Sequence, residues 1–112
     1  PLGITLRSRK KAKAVDTVWI MRYLMADLAQ KKEVRSAQVQ QLLLQHIALA
    51  WYRLSRLDET VQQAAFLVMQ QMYAAYYAPQ DICVQDSRLL ALHQALAAKN
   101  YGQYLAAAES LT

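Results

Sequence analysis

The chain has 112 residues, 55% of them apolar, with thirteen Lys and Arg set against eight Asp and Glu. One domain is the natural reading of that length, and it suffices for a real core. Two glycines and two prolines leave too few turns for a many-stranded fold and exclude every glycine-rich phosphate loop. The apolar share exceeds the usual figure of about 45–50%, so some of it needs a destination beyond an ordinary core.

The chain has no initiating methionine, and Pro1 to Gly3 read as an addition that carries no fold information. Arg7, Arg9, Lys10, Lys11 and Lys13 then precede the first acid, Asp16. After them, eight basic and eight acidic residues balance, so the net charge of +5 belongs wholly to residues 1–14. Residues 4–14, ITLRSRKKAKA, show no apolar period and read as a mobile basic arm or a fraying helix start. Residues 15–112 read as a single helical domain.

Asp16 is placed to cap a first helix running to about Lys32, whose cations suit the negative end of the helix dipole. Val18, Met21, Met25 and Leu28 form its stripe, while Trp19, Ile20, Tyr23 and Leu24 lie on other faces. A helix apolar nearly all round is expected at the centre of a fold. Asp16, Arg22 and Asp27 interrupt the apolar run, so neither a secretory leader nor a membrane span fits it.

From Ser36 to Ala78 the chain has no glycine or proline, and Val39, Leu43, Ile47, Ala50, Leu54, Leu57, Val61, Ala65, Val68, Met72 and Ala75 recur every three or four residues. That spacing keeps them on one helix face. Asp58 and Thr60 are good N-cap residues, and Thr60 with Gln63 fits a capping box. The expectation is therefore a break near 57–60 and a helical hairpin rather than one long rod. Pro79 ends the second helix, and PQDICVQD reads as a loop with Ile82 and Val84 tucked inward. Asp86 caps a fourth helix carrying Leu89, Leu92, His93 and Leu96, Asn100 to Gly102 form a turn, and a short last helix follows.

The fold class is all-α: a compact bundle or orthogonal array of about five helices with a basic N-terminal arm. Its expected core includes Val18, Met25, Leu43, Ile47, Leu54, Val68, Met72 and Leu92. A tetratricopeptide comparison fails. Trp51, Leu54, Ser55, Ala74 and Pro79 sit at suitable offsets, but Asp58 stands where a large aromatic belongs and no second copy appears.

Catalytic and metal chemistry find no support. His46, His93 and Cys83 are the only soft metal ligands and share no ligand spacing. Asp58 and Glu59 are adjacent on a helix and point apart, and no nucleophile is paired with a histidine. The expectation is a non-enzymatic protein without cofactor or metal. A sole cysteine excludes an intrachain disulfide and points to a reducing, cytoplasmic setting, or a nuclear one in a eukaryote.

Function then falls to surfaces. Phe66, Tyr73 and Tyr77 align as a second row on the third helix, flanked by Gln62, Gln63 and Gln70. Large anchors inside a polar amide rim resemble an interface core, so this row is expected to bind a protein partner or a second copy. Leu42, Leu49 and Tyr52 fall off the main stripe of the second helix and extend the same expectation. The alternative is nucleic-acid binding, with Arg7, Arg9, Lys10, Lys11 and Lys13 neutralising phosphates in a salt-sensitive way. No aromatic residue interleaves those cations to stack on bases.

Overall fold

The computed structural model describes residue 16, residues 18–28, residue 30 and residues 36–112. The expectations for the arm at 4–14 and for the end of the first helix near Lys32 lie outside the described residues. The protein is all-α: helix α1 covers residues 18–28, followed by α2 (Ala37–Leu54), α3 (Glu59–Ala74), α4 (Ser87–Ala97) and α5 (Tyr101–Leu111). Among the described residues there is no strand. Helix α2 packs against α3, α4 and α5, and α4 against α3 and α5, so α2 and α4 are central.

The expected hairpin break is present, but a different device closes it. Helix α3 starts at Glu59 with Asp58 in the capping position, and the Asp58 side chain makes no cap hydrogen bond. Gln62 staples the turn instead, donating from Nε2 to the Leu57 carbonyl at 2.7 Å and to that of Ser55 at 3.3 Å. Ser55 Oγ donates to the Tyr52 carbonyl at 2.7 Å. At the end of α2 the Tyr52 carbonyl thus meets a side chain and the Leu54 carbonyl accepts from the Leu57 amide at 2.9 Å, as a helix terminus requires.

Helix α4 begins as expected, with Asp86 Oδ1 accepting from the Arg88 amide at 2.8 Å. Its end is a Schellman turn: the Asn100 amide reaches the Ala95 carbonyl at 3.1 Å, and the Lys99 amide that of Leu96 at 3.2 Å. Lys99 occupies the left-handed position with φ of 53°. Asn100 then caps α5 by accepting from the Gln103 amide at 3.0 Å. The expected Asn100–Gly102 turn is thus corrected, since Gly102 lies inside α5 and the reversal sits one step earlier.

In the core, Val18, Met25, Leu43, Ile47, Leu54 and Leu92 are buried as expected. Helix α3 is turned over relative to expectation. Phe66, Tyr73 and Tyr77 are at most 3% exposed, while Val61, Val68 and Met72 are only half-buried. Phe66 contacts the rings of Tyr101 and Tyr104 at 5.5 and 4.8 Å, and Tyr73 stacks on Tyr77 at 4.7 Å. Aromatic rings remove more apolar area from water than valine, so burying the larger row is the stronger choice. Two further expectations change. Ile82 is exposed although Val84 is buried, and α1 is peripheral, with only Val18, Met21, Met25 and Leu28 turned into the core.

Phe66→Ala is expected to cost about 3–5 kcal/mol and Val68→Ala less than about half of that, measured by denaturant unfolding. The reverse order would return the expected stripe to the core. Lys99→Gly should raise stability by about 1 kcal/mol, because glycine relieves the left-handed strain without touching the Schellman bonds. A loss of stability there would contradict the strained assignment.

Candidate interaction surfaces

The proposed contact row on α3 is the first to place. Phe66, Tyr73 and Tyr77 are covered by the chain's own helices, so they build the core and present no face to a partner. Two of the flanking amides that had argued for an interface rim, Gln62 and Gln70, are satisfied internally, while Gln63 is exposed. Gln70 is itself buried and donates from Nε2 to the Leu96 carbonyl at 3.2 Å, linking α3 to the last turn of α4. Gln62 is engaged by the α2–α3 turn and accepts from the Tyr101 hydroxyl at 3.4 Å. A glutamine beside a core row is compatible with burial when backbone carbonyls are within its reach.

Deeper still, Gln40, Tyr73 and His93 form a polar cluster inside the core, each at most 1% exposed. The Gln40 Nε2 group donates to the Tyr73 hydroxyl at 2.9 Å and to the Asp81 carbonyl at 2.7 Å, and Gln40 Oε1 accepts from the Cys83 amide at 2.8 Å. His93 Nε2 lies 3.0 Å from the Pro79 carbonyl, which can only accept, so that nitrogen carries the proton. Nδ1 is therefore the acceptor, and the Tyr73 hydroxyl donates to it at 2.6 Å. Every group has a partner, and burial pushes the Tyr73 and Tyr104 hydroxyls well above the ordinary tyrosine range. The cluster ties α2, α3 and α4 to loop 79–83. Sequence reasoning did not single out Gln40 among the thirteen glutamines. Its position three residues before Leu43 and seven before Ile47 was the signal that it lies on the buried face.

Two apolar rows do face outward. On α2, Leu42, Leu49 and Tyr52 are exposed, Leu42 by 62%. They lie within about 80° of one another around the helix, opposite Leu43, Ile47 and Leu54. Gln38, Gln41 and Gln45 are exposed beside them and supply an uncharged polar border. A groove of about 480 Å³ opens next to this row, walled by Gln45, Leu49 and Tyr52 of α2, Leu89 of α4 and Leu111 of α5. Arg88 and Asp86 form its lip, paired at 3.1 Å. Each shifts the other, the carboxyl downward and the guanidinium upward. On α1, Trp19, Ile20, Tyr23 and Leu24 are exposed, Tyr23 by 75%, and the Arg22 guanidinium lies 5.9 Å from the Trp19 ring.

Arg7, Arg9, Lys10, Lys11 and Lys13 lie outside the described residues. Among the described residues, no group of three His, Cys, Asp or Glu side chains is placed to hold a metal ion, and no helix is long and apolar enough to cross a membrane.

Gln40→Leu is expected to destabilise the protein by about 2–4 kcal/mol, since it removes the buried hydrogen bonds to Tyr73, to the Asp81 carbonyl and to the Cys83 amide. Tyr73→Phe should cost about 1–2 kcal/mol, and the double variant should depart from additivity by more than about 0.5 kcal/mol. Additive losses in denaturant unfolding would mean that the two side chains do not act together.

Compared with known proteins, the chain matches no family model, no curated protein and no solved structure.

Proposed function

We propose that the protein is a non-enzymatic helical interaction and assembly module that engages a protein partner, or a second copy of itself, through the outward face of α2. The observation that carries this reading is the alignment of Leu42, Leu49 and Tyr52 beside a groove of about 480 Å³, with Gln38, Gln41 and Gln45 around them. An apolar centre, a tyrosine that joins an apolar body to a polar tip, and an uncharged rim suit a protein contact. The groove offers a partner side chain a place to insert, which is where binding energy concentrates. Tyr73 and His93, the pair that most resembles a reactive arrangement, are enclosed in the core with their polar atoms committed to one another, to Gln40 and to Pro79.

A second reading, nucleic-acid binding through Arg7, Arg9, Lys10, Lys11 and Lys13, is favoured by the density of five cations within seven residues. In that reading the helical bundle serves dimerisation.

The test is sedimentation over a wide range of protein concentration, beside unfolding of the same variants. The molar mass is expected to rise with concentration. Leu49→Glu and Tyr52→Ala should weaken association by about 1–3 kcal/mol each and change stability by less than about 0.5 kcal/mol, because both side chains are exposed. A wild-type chain that stays monomeric at the highest concentrations removes self-assembly from the reading. Binding of a generic duplex that weakens steeply with salt would move the function to the arm.

A further inference from the structure

The hydrogen bonds of the buried cluster run in one direction only. The Gln40 amide cannot be turned over, because the Cys83 amide needs an oxygen and the Asp81 carbonyl needs an N–H. Its Nε2 group therefore faces Tyr73 as a donor at 2.9 Å, and the Tyr73 oxygen accepts. The Tyr73 proton is left one place to go, His93 Nδ1 at 2.6 Å. On the far side of the ring, Nε2 donates to the Pro79 carbonyl at 3.0 Å. The run of bonds from Cys83 to Pro79 thus closes only when the imidazole is neutral.

A second proton on the ring finds no acceptor. Imidazolium carries two N–H groups and no free lone pair. Its Nδ1–H would meet the proton of the Tyr73 hydroxyl, with Gln40 Nε2, another donor, at 3.4 Å. If the hydroxyl turned to accept, its own proton would be stranded, since Gln40 and His93 are the polar groups it meets. The charge would also be buried at a ring that is 1% exposed, with no carboxylate on either nitrogen. From α2 the ring meets uncharged Gln40, and from α3 Tyr73, with Tyr77 stacked behind. In the loop, Asp81 and Cys83 lie near the Tyr73 hydroxyl, and the Asp81 carboxylate accepts from the Ala78 amide at 2.9 Å. On α4 itself Asp86 is exposed and paired with Arg88. Tyr104, the buried titratable group of α5, packs on Phe66 and Tyr101, and Asp16, Arg22, Tyr23 and Asp27 are exposed.

From this geometry we infer that His93 is an acid-sensitive latch on loop 79–83. While the ring is neutral, the cluster holds the loop at Pro79, Asp81 and Cys83. When Nδ1 takes a proton from water, the Tyr73–His93 bond is lost, the ring turns toward solvent and the loop comes away with it. Opening sacrifices little apolar contact, because Pro79, Gln80, Ile82 and Cys83 are already exposed. The open state binds one proton more than the closed one, so acid favours it and a rising pH closes the loop. Histidine is the side chain that ordinarily changes charge between about pH 5 and 8, which suits it to this role. The latch works from inside the core and is independent of the outward face of α2.

The experiment is nuclear magnetic resonance of the whole protein, titrated from about pH 8 to about pH 5. Ring-nitrogen shifts report which nitrogen of His93 carries a proton. Hydrogen exchange reports the protection of the Cys83 amide relative to an unstructured chain at the same pH. His93 is expected to pass from a ring protonated at Nε2 alone to one protonated at both nitrogens. In step with it, Cys83 protection should fall by about tenfold or more, while the Leu57 amide, bonded to the Leu54 carbonyl in the other turn, stays protected. His46→Gln, at the chain's other histidine, should leave both changes in place. His93→Gln, neutral throughout, should make Cys83 protection the same at both ends of the titration. If that variant does not fold, the wild-type titration decides. A His93 ring still singly protonated at the acid end overturns the inference, and so does a doubly protonated ring with Cys83 protection unchanged. Loss of protection that persists in His93→Gln, or vanishes in His46→Gln, overturns it as well. Simultaneous loss at Cys83 and Leu57 does so too, because the whole fold rather than the loop would then be opening.

Discussion

The side-chain amide of Gln40 is the interaction on which the rest of the arrangement turns. Its two ends join α2 to α3 and to loop 79–83 at once, because the NH2 group donates to Tyr73 and to the Asp81 carbonyl while the oxygen accepts from the Cys83 amide. Loop 79–83 has little apolar surface of its own with which to stay in place, since Pro79, Gln80, Ile82 and Cys83 are all exposed. Its backbone is held by polar bonds to the core, from Gln40 and from His93 Nε2 to the Pro79 carbonyl. A buried amide is costly when unmet and specifying when fully met, and here it is fully met.

That cluster also accounts for the orientation of α3. Tyr73 has to face α2 and α4 to reach both Gln40 and His93, and Phe66 and Tyr77 lie on the same side of the helix. Once Tyr73 is inside, Phe66 meets Tyr101 and Tyr104 of α5, and Tyr77 stacks on Tyr73. Val61, Val68 and Met72 are left at the edge of the core. The polar network and the aromatic contacts therefore select the same face, and such agreement between levels favours one packing over its alternatives.

The outside of the protein divides by chemistry. The α2 face is apolar with an amide border and a groove, which suits a protein contact. The α1 face is apolar and is made by Trp19, Ile20, Tyr23 and Leu24. Both faces are carried by regular helices rather than loops, so each presents its anchors in a fixed register. The apolar excess of the composition goes partly to these two faces, whose Trp19, Ile20, Tyr23, Leu24, Leu42, Leu49 and Tyr52 are all exposed.

Local chemistry alone determined the helical class, the hairpin break between Leu54 and Glu59, the Asp86 cap and the inward stripe of α1. Each depends on residues a few positions apart, and spacing along a helix converts directly into angle around it. It also made the outward row of Leu42, Leu49 and Tyr52 legible, since those residues lie off a single dominant stripe. Where a helix carries two apolar rows, spacing supplies the angle between them and says nothing of where the neighbours stand. Only the tertiary structure decided that Phe66, Tyr73 and Tyr77 face inward, that α1 sits at the edge, and that Gln40 and His93 meet in the core. Those outcomes rest on contacts between residues 20 to 53 positions apart, such as Tyr73 with His93 and Gln40 with His93, and no local period encodes them.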